Sequence, residues 1–269
     1  MGNSSPTNHW ALILGASSGF GGAAAIELAK HGFHIFGVHL DRKATLPNAE
    51  KIINEIKSHD RQALFFNINA SDPYQRKSAL NQMKDELEKS GANSQVRVLL
   101  HSLAFGALKR FVPEEPQEAI TRAQIDMTLE VMANSLVHWA QDLIFRDLMR
   151  KGGRIFSMTS SGSRRVWPAY GAVSAAKAAL ESHTRQLALE LAPYGITVNA
   201  IQAGVTDTPA LRKIPGHEEM VATAKKNNPS GRLTTPVDVA KAIAVLAQEE
   251  NYWMTGNVIR VDGGEDITG

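Results

Sequence analysis

The chain has 269 residues, a formal net charge of +2, 43% hydrophobic residues, 21% charged residues and no cysteine. So small a charge, with no basic block interleaved with aromatics, excludes a nucleic acid partner, and no apolar run approaches the roughly 20 residues of a membrane span. Without cysteine there are no disulfides, no thiol catalysis and no thiolate metal sites, and the whole balance predicts a cytoplasmic enzyme.

Residues 1–9 are polar, lack the charged-then-apolar plan of a signal peptide, and read as a flexible tail ahead of a single domain over 10–269. Trp10 to Leu14 is a short apolar run, followed by Gly15-Ala16-Ser17-Ser18-Gly19-Phe20-Gly21-Gly22 and an alanine-rich helix over 23–30. A strand, a glycine turn and a helix N-terminus make an anion site, because glycine lets the backbone approach and the free amides point at phosphate. A glycine-rich turn elsewhere would be only a turn; its place at the first strand-to-helix junction gives it weight.

Strands are predicted at 34–40, 62–68, 96–100, 154–160, 196–201 and 257–261, with helices at 49–58, 72–89, 121–150 (broken early), 170–192 and 236–248. Strands alternating with helices of this size predict right-handed βαβ units and a doubly wound parallel sheet. Segment 205–228 is long and carries two prolines and a glycine, which predicts a mobile cover over a site. The nine histidines are scattered, none paired at metal-ligand spacing beside a carboxylate, so no metal site is expected.

The central stretch is the strand ending in Ser157-Met158-Thr159-Ser160-Ser161, then a helix with Tyr170 and Lys177 seven positions apart. Two helical turns return a side chain to nearly the same face, about 10.5 Å along the axis. A cation beside a phenol favours its anion and eases proton donation. The pair reads as a proton-transfer apparatus. Its dull alternative is a packing aromatic at a helix start and a solvated helix lysine.

Together, Gly15-x-x-x-Gly19-x-Gly21, Asn134, Ser160, Lys177 and Val261-Asp262-Gly263-Gly264 resemble the short-chain dehydrogenase/reductase family over nearly the whole chain. The resemblance implies a Rossmann-like sheet of seven parallel strands flanked by helices. Three departures stand out: Val173 where most members carry tyrosine, His101-Ser102-Leu103-Ala104-Phe105-Gly106 in place of Asn-Asn-Ala-Gly, and Ala203-Gly204 in place of Pro-Gly. All three are similar to the enoyl-thioester reductase branch, and the run from Ile196 to Gly264 is most like the third bacterial type of enoyl-acyl-carrier-protein reductase.

That resemblance implies catalytic roles for Tyr170, Lys177, Ser160 and Asn134. Tyr170 would steady the enolate oxygen, Lys177 would hold the nicotinamide ribose, Ser160 would orient substrate or ring, and Asn134 would hold a water leading toward Lys177. It implies cofactor contacts at Gly15, Ser17, Ser18, Gly19, Phe20 and Gly21. Further contacts are expected at His39 and Arg42, Asn67 and Ile68, His101 and Ser102, Lys177, and Ala203, Gly204, Thr206 and Thr208. Where NAD-dependent members carry Asp at the end of the second strand, His39 stands here, with Asp41, Arg42 and Lys43 just beyond; the two cations suit a 2′-phosphate and favour NADPH over NADH, while Asp41 opposes it.

The implied reaction is reduction of the 2,3 double bond of a trans-2-enoyl thioester on acyl carrier protein or coenzyme A. Moving the donor back three residues, about 4.5 Å, follows an oxygen displaced from the carbon that takes hydride. Arg164, Arg165, Arg212, Lys213, Lys225 and Lys226 would meet carrier phosphates, or form a solvated basic face. Homodimers or homotetramers are implied through the Asn134 and Tyr170 helices. The alternatives are a carbonyl reductase or alcohol dehydrogenase, a 2,4-dienoyl-coenzyme A reductase, and a cofactor-binding sensor without activity.

Overall fold

Strands made almost wholly of apolar residues need cover on both faces, and parallel pairing supplies it through crossover helices. The computed structural model describes residues 8–91 and 93–268. The strands are β1 (His9–Leu14), β2 (His34–His39), β3 (Ala63–Asn67), β4 (Gln95–His101), β5 (Arg154–Ser160), β6 (Thr197–Ala203) and β7 (Val258–Val261). They form one seven-stranded sheet in the order β3-β2-β1-β4-β5-β6-β7, with every pair parallel. Most of the expected tail, residues 1–7, lies outside the described residues, and His9 already belongs to β1.

Helices α1 (Gly19–Lys30), α2 (Leu46–Lys57), α3 (Pro73–Ser90), α4 (Arg122–Leu129), α5 (Ser135–Phe145), α6 (Gly171–Leu191), α7 (His217–Asn227) and α8 (Pro236–Leu246) complete the chain. Side chains alternate across a strand. Trp10, Leu12 and Leu14 therefore enter a core with residues of α3, α5 and α6, while Ala11 and Ile13 enter a second core with α1 and α8. The result is a single α/β domain with a doubly wound sheet. Among the described residues no helix is long and apolar enough to cross a membrane.

Two regions depart from expectation. The helix expected over 121–150 is three pieces: α4, a π-helical turn at Glu130–Asn134, and α5, which ends at Phe145. The cover at 205–228 contains a 3-10 turn at Leu211–Lys213 and the three turns of α7, started by Gly216 in the left-handed conformation at φ +74°. Strand order reverses between β1 and β4, and in open α/β sheets ligands bind there, beyond the carboxyl ends of the strands.

Candidate active site

At the β1–α1 junction Gly15 has φ +92°, and a Cβ there would stand 2.4 Å from the Ser102 carbonyl oxygen. A Cβ on Gly21 would stand 2.1 Å from the Gly15 carbonyl oxygen. The glycines thus bring α1 against the turn and the turn against the end of β4. Ser18 is the N-cap of α1 and makes no side-chain capping bond, so its hydroxyl does not occupy the first amides of α1. This uncapped helix end beyond a tight glycine turn fits a dinucleotide's phosphates.

At the end of β2 the buried His39 turns its Nδ1 to the Asp41 carboxylate at 2.8 Å. The Asp41 amide donates to Asn67 Oδ1 at 2.8 Å, and Asn67 Nδ2 donates back to the Asp41 carbonyl at 3.0 Å. Burial alone would push the Asp41 carboxyl up, but hydrogen bonds from Thr45, Ser17 and His39 hold it below its ordinary value. Arg42 and Lys43 are exposed and, among the described residues, pair with no carboxylate.

Beyond β4, β5 and β6 lies a cavity of about 530 Å³. Of the expected site residues, Phe20, Ser102, Ser160, Tyr170, Lys177, Ala203, Gly204, Thr206 and Thr208 line it, as do Val173 and Thr159. Gly15, Ser17, Ser18, Gly19, Gly21, His39, Arg42, Asn67, Ile68, His101 and Asn134 are not among its lining residues.

Tyr170 is the N-cap of α6 rather than a residue within it. Ala169 before it holds φ +62°, a left-handed conformation that costs a residue with a Cβ about 1–2 kcal/mol. Burial pushes the Tyr170 phenol up, and a hydrogen bond with Ser160 only partly offsets that. The net direction is upward, so the phenol keeps its proton near neutral pH. The Ser160 hydroxyl also accepts from the Gly162 amide at 3.2 Å, which fixes its direction.

Lys177 is buried at 7% exposure, and its Nζ donates to the Met158 carbonyl of β5 at 2.6 Å. Burial lowers its pKa to about 8, against the opposing pull of Glu181 one turn further along α6. Glu181 in turn accepts from the Thr159 hydroxyl at 2.6 Å, so one carboxylate ties the cavity wall to the lysine's helix. Val173, 5% exposed, presents only methyl groups to the same cavity. Asn134 closes the π-helical turn; its Nδ2 donates to Glu130 at 3.3 Å and its Oδ1 meets His183 Nε2 at 3.1 Å.

Behind the cavity, the fully buried His101 ring meets Ser135 at 2.8 Å. Ser135 donates its own proton to the Val131 carbonyl at 2.8 Å, so it accepts from the imidazole. Burial and then the charge of Lys177 lower the His101 pKa to about 3, which keeps the ring neutral.

Sequence reasoning missed several site residues. Trp167 donates to the Pro215 carbonyl at 2.9 Å and joins the segment before α6 to the cover. Glu265, in the chain's last turn, accepts from the Val205 amide at 3.0 Å. Asp266 pairs with Arg164, with Arg165 at 3.2 Å and with Arg260 at 3.2 Å, and accepts from Gln202 at 3.1 Å. Apart from Arg260–Asp266, these contacts span tens of residues in sequence, and no local spacing announces them.

A family model described as Enoyl-(Acyl carrier protein) reductase matches residues 15–265. The NADPH-dependent aldehyde reductase-like protein, chloroplastic, of Arabidopsis thaliana is 31% identical over 263 residues, covering 94% of this chain and 93% of that one. The enoyl-[acyl-carrier-protein] reductase [NADH] FabI of Nostoc sp. is 30% identical over 220 residues, covering 82% and 81%. The crystal structure of the angucycline C-6 ketoreductase LanV with bound NADP, 25% identical, superimposes with a TM-score of 0.83 over 98% of each chain. With a sheet of the right order, a glycine turn at its switch point and a match over all but the chain ends, the protein is an oxidoreductase of the short-chain dehydrogenase/reductase family.

Proposed function

We propose that the protein reduces the 2,3 double bond of a trans-2-enoyl thioester, as an NADPH-preferring enoyl-thioester reductase of fatty acid synthesis. The observation that carries this reading is the pair of side chains at the start of α6. Val173 offers the cavity no proton, whereas Tyr170, three residues earlier, offers it a phenol beside Ser160. Gly15, Ser17–Gly21, Arg42, Asn67, Ile68, Ser102, Gly204 and Thr208 would hold the dinucleotide, whose chemistry when bound would be delivery of hydride to the β-carbon.

Tyr170 donates a hydrogen bond to the thioester carbonyl oxygen as charge grows on it. A neutral phenol suits this, because a donor fixed in a water-poor cavity is worth more to a developing anion than to the starting carbonyl. Ser160 holds the phenol's direction. Lys177, charged below about pH 8, holds ribose hydroxyls and places positive potential behind them. Leu103, Leu108, Met132 and Val173 give the acyl chain an apolar wall. The cover at 205–228, joined to the α6 side through Trp167, keeps water from the reacting carbons.

The assay follows the near-ultraviolet absorbance of the reduced nicotinamide with crotonyl thioester, a dienoyl thioester and simple ketones. Thioester-dependent oxidation is expected. Oxidation with ketones alone would replace this reading with carbonyl reduction, and oxidation with the dienoyl thioester alone with dienoyl reduction. Tyr170→Phe should lower kcat by roughly 10²–10³-fold with cofactor Kd nearly unchanged; turnover near wild type would remove Tyr170 from the reaction.

For the cofactor, the donors already on Asp41 engage its carboxylate, while Arg42 and Lys43 are left to meet a 2′-phosphate. Arg42→Ala should raise KM for NADPH about tenfold and leave NADH within twofold. Equal effects on both cofactors would assign Arg42 to some other task.

A further inference from the structure

A second cavity, of about 450 Å³, shares Tyr170, Trp167 and Val166 with the larger one. Lys109 and Arg110 line it, no carboxylate does, and neither cation has a carboxylate partner among the described residues. Segment 109–112 is held in place. The Ile120 amide donates to the Arg110 carbonyl at 3.1 Å, and a Cβ on Gly171 would stand 2.5 Å from the Phe111 ring, so that ring packs on the first residue of α6. Phe111 is nonetheless 56% exposed and Val112 88% exposed, an apolar lip beside two free cations.

The cations singled out in the sequence are engaged elsewhere or lie apart. Arg212 is bound to Asp207 at 2.7 Å, and Arg164 and Arg165 are held by Asp266. Lys225 and Lys226 line neither cavity. Arg165 and Lys213 line the larger one.

We propose that the smaller cavity receives the phosphopantetheine arm of the thioester carrier, with Lys109 and Arg110 on its phosphate; the proposal rests on the enoyl-thioester reading. A thioester carbonyl has an acyl chain on one side and sulfur with its arm on the other. A group that binds the carbonyl oxygen must therefore stand where two compartments meet, and Tyr170 is shared by both. The larger compartment, with Leu103, Leu108, Met132 and Val173 on its wall, takes the chain. The smaller one offers an apolar lip for the arm's methylenes and dimethyl group, and two cations for the phosphate that ends it.

The test compares wild type with the Lys109→Ala/Arg110→Ala double variant on crotonyl-4′-phosphopantetheine, crotonyl-pantetheine, crotonyl-coenzyme A and crotonyl-acyl carrier protein. Expected is a loss of about tenfold in kcat/KM, carried by KM, on the three phosphorylated substrates, and less than twofold on crotonyl-pantetheine. Equal losses on all four, or none, would overturn the proposal. A loss confined to coenzyme A would put the cations on its nucleotide end, and one confined to the carrier protein on that protein's surface; either overturns the assignment to the arm. Wild type that reduces no thioester at all would overturn the enoyl-thioester reading itself, a result separable from any defect of the variant.

Discussion

Tyr170 keeps its proton because burial disfavours the phenolate, whereas Lys177, with a pKa of about 8, titrates close to neutral pH. Below that value the ammonium stands behind the substrate site; above it the charge is lost. The pH profile of kcat/KM should therefore fall on the alkaline side with a midpoint near 8. Glu181 raises the lysine's affinity for its proton, so Glu181→Gln should move that limb to lower pH. A limb that stays in place would separate Glu181 from the lysine. The stability effect has a definite sign. The folded pKa of about 8 lies below the ordinary 10.5, so between these values the unfolded chain binds the extra proton. Lys177 thus costs stability below pH 8, and the cost fades as pH rises toward 10.5. In urea titrations, wild type should gain on Lys177→Met between pH 8 and 10.

At the scale of elements, α1 depends on glycine for two different reasons. Gly21 has no room for a Cβ, which would strike the Gly15 carbonyl oxygen and drive α1 off the end of β1. Gly32, which follows α1, has φ +94° but nothing within 4 Å. Gly21→Ala should cost about 1–3 kcal/mol and lower dinucleotide affinity more than tenfold. Gly32→Ala should cost about 1–2 kcal/mol through backbone strain alone and leave affinity unchanged. Urea denaturation and a fluorescence titration with NADPH separate the two, and equal affinity losses would refute the close-approach explanation. The same contrast marks what could be read from sequence. Burial on both faces made β1, β2 and β4 near-continuous apolar runs, and α3 and α8, expected at 72–89 and 236–248, begin at caps made by Asp72 and Thr235. By contrast, α7 was hidden because Pro215 and Gly216 read as breakers, although Gly216 caps that helix. The early break in the 121–150 helix was expected, but not its form as a π-helical turn before Ser135, which has no residue signature of its own. Tyr170 and Lys177 were legible from their spacing. The turn of Ala169, which sets Tyr170 at the cap, was not, nor were His101–Ser135 and Thr159–Glu181, whose partners meet only in the folded sheet.

On the scale of the whole molecule, the chain's last turn holds the site together. Asp266, its side chain 3% exposed, gathers Arg164 and Arg165 from the segment between β5 and α6, Gln202 from β6 and Arg260 from β7. Next to it, Glu265 holds the amide that opens the cover. The segment bearing Ser160 and Tyr170, the cover and the sheet edge are thus fastened at one point. Breaking a buried ion pair commonly costs 3–5 kcal/mol because a charge is stranded. Here the three arginines are half exposed and return to water, so Asp266→Asn should cost only about 1–2 kcal/mol. Turnover should suffer more: with its anchor loosened, the segment before α6 no longer fixes the phenol, and kcat should fall about tenfold while cofactor Kd stays within twofold. The pH dependence checks the cause. Burial pushes the Asp266 carboxyl up, but Gln202 and the arginines hold it below its ordinary 3.8. Its stabilisation is therefore present above that pH and lost as pH falls through the folded value, so the stabilities of wild type and Asp266→Asn should converge as pH falls below 3.8. Curves that stay parallel from pH 7 to 3, with kcat unchanged, would show that the carboxylate does not fasten the site.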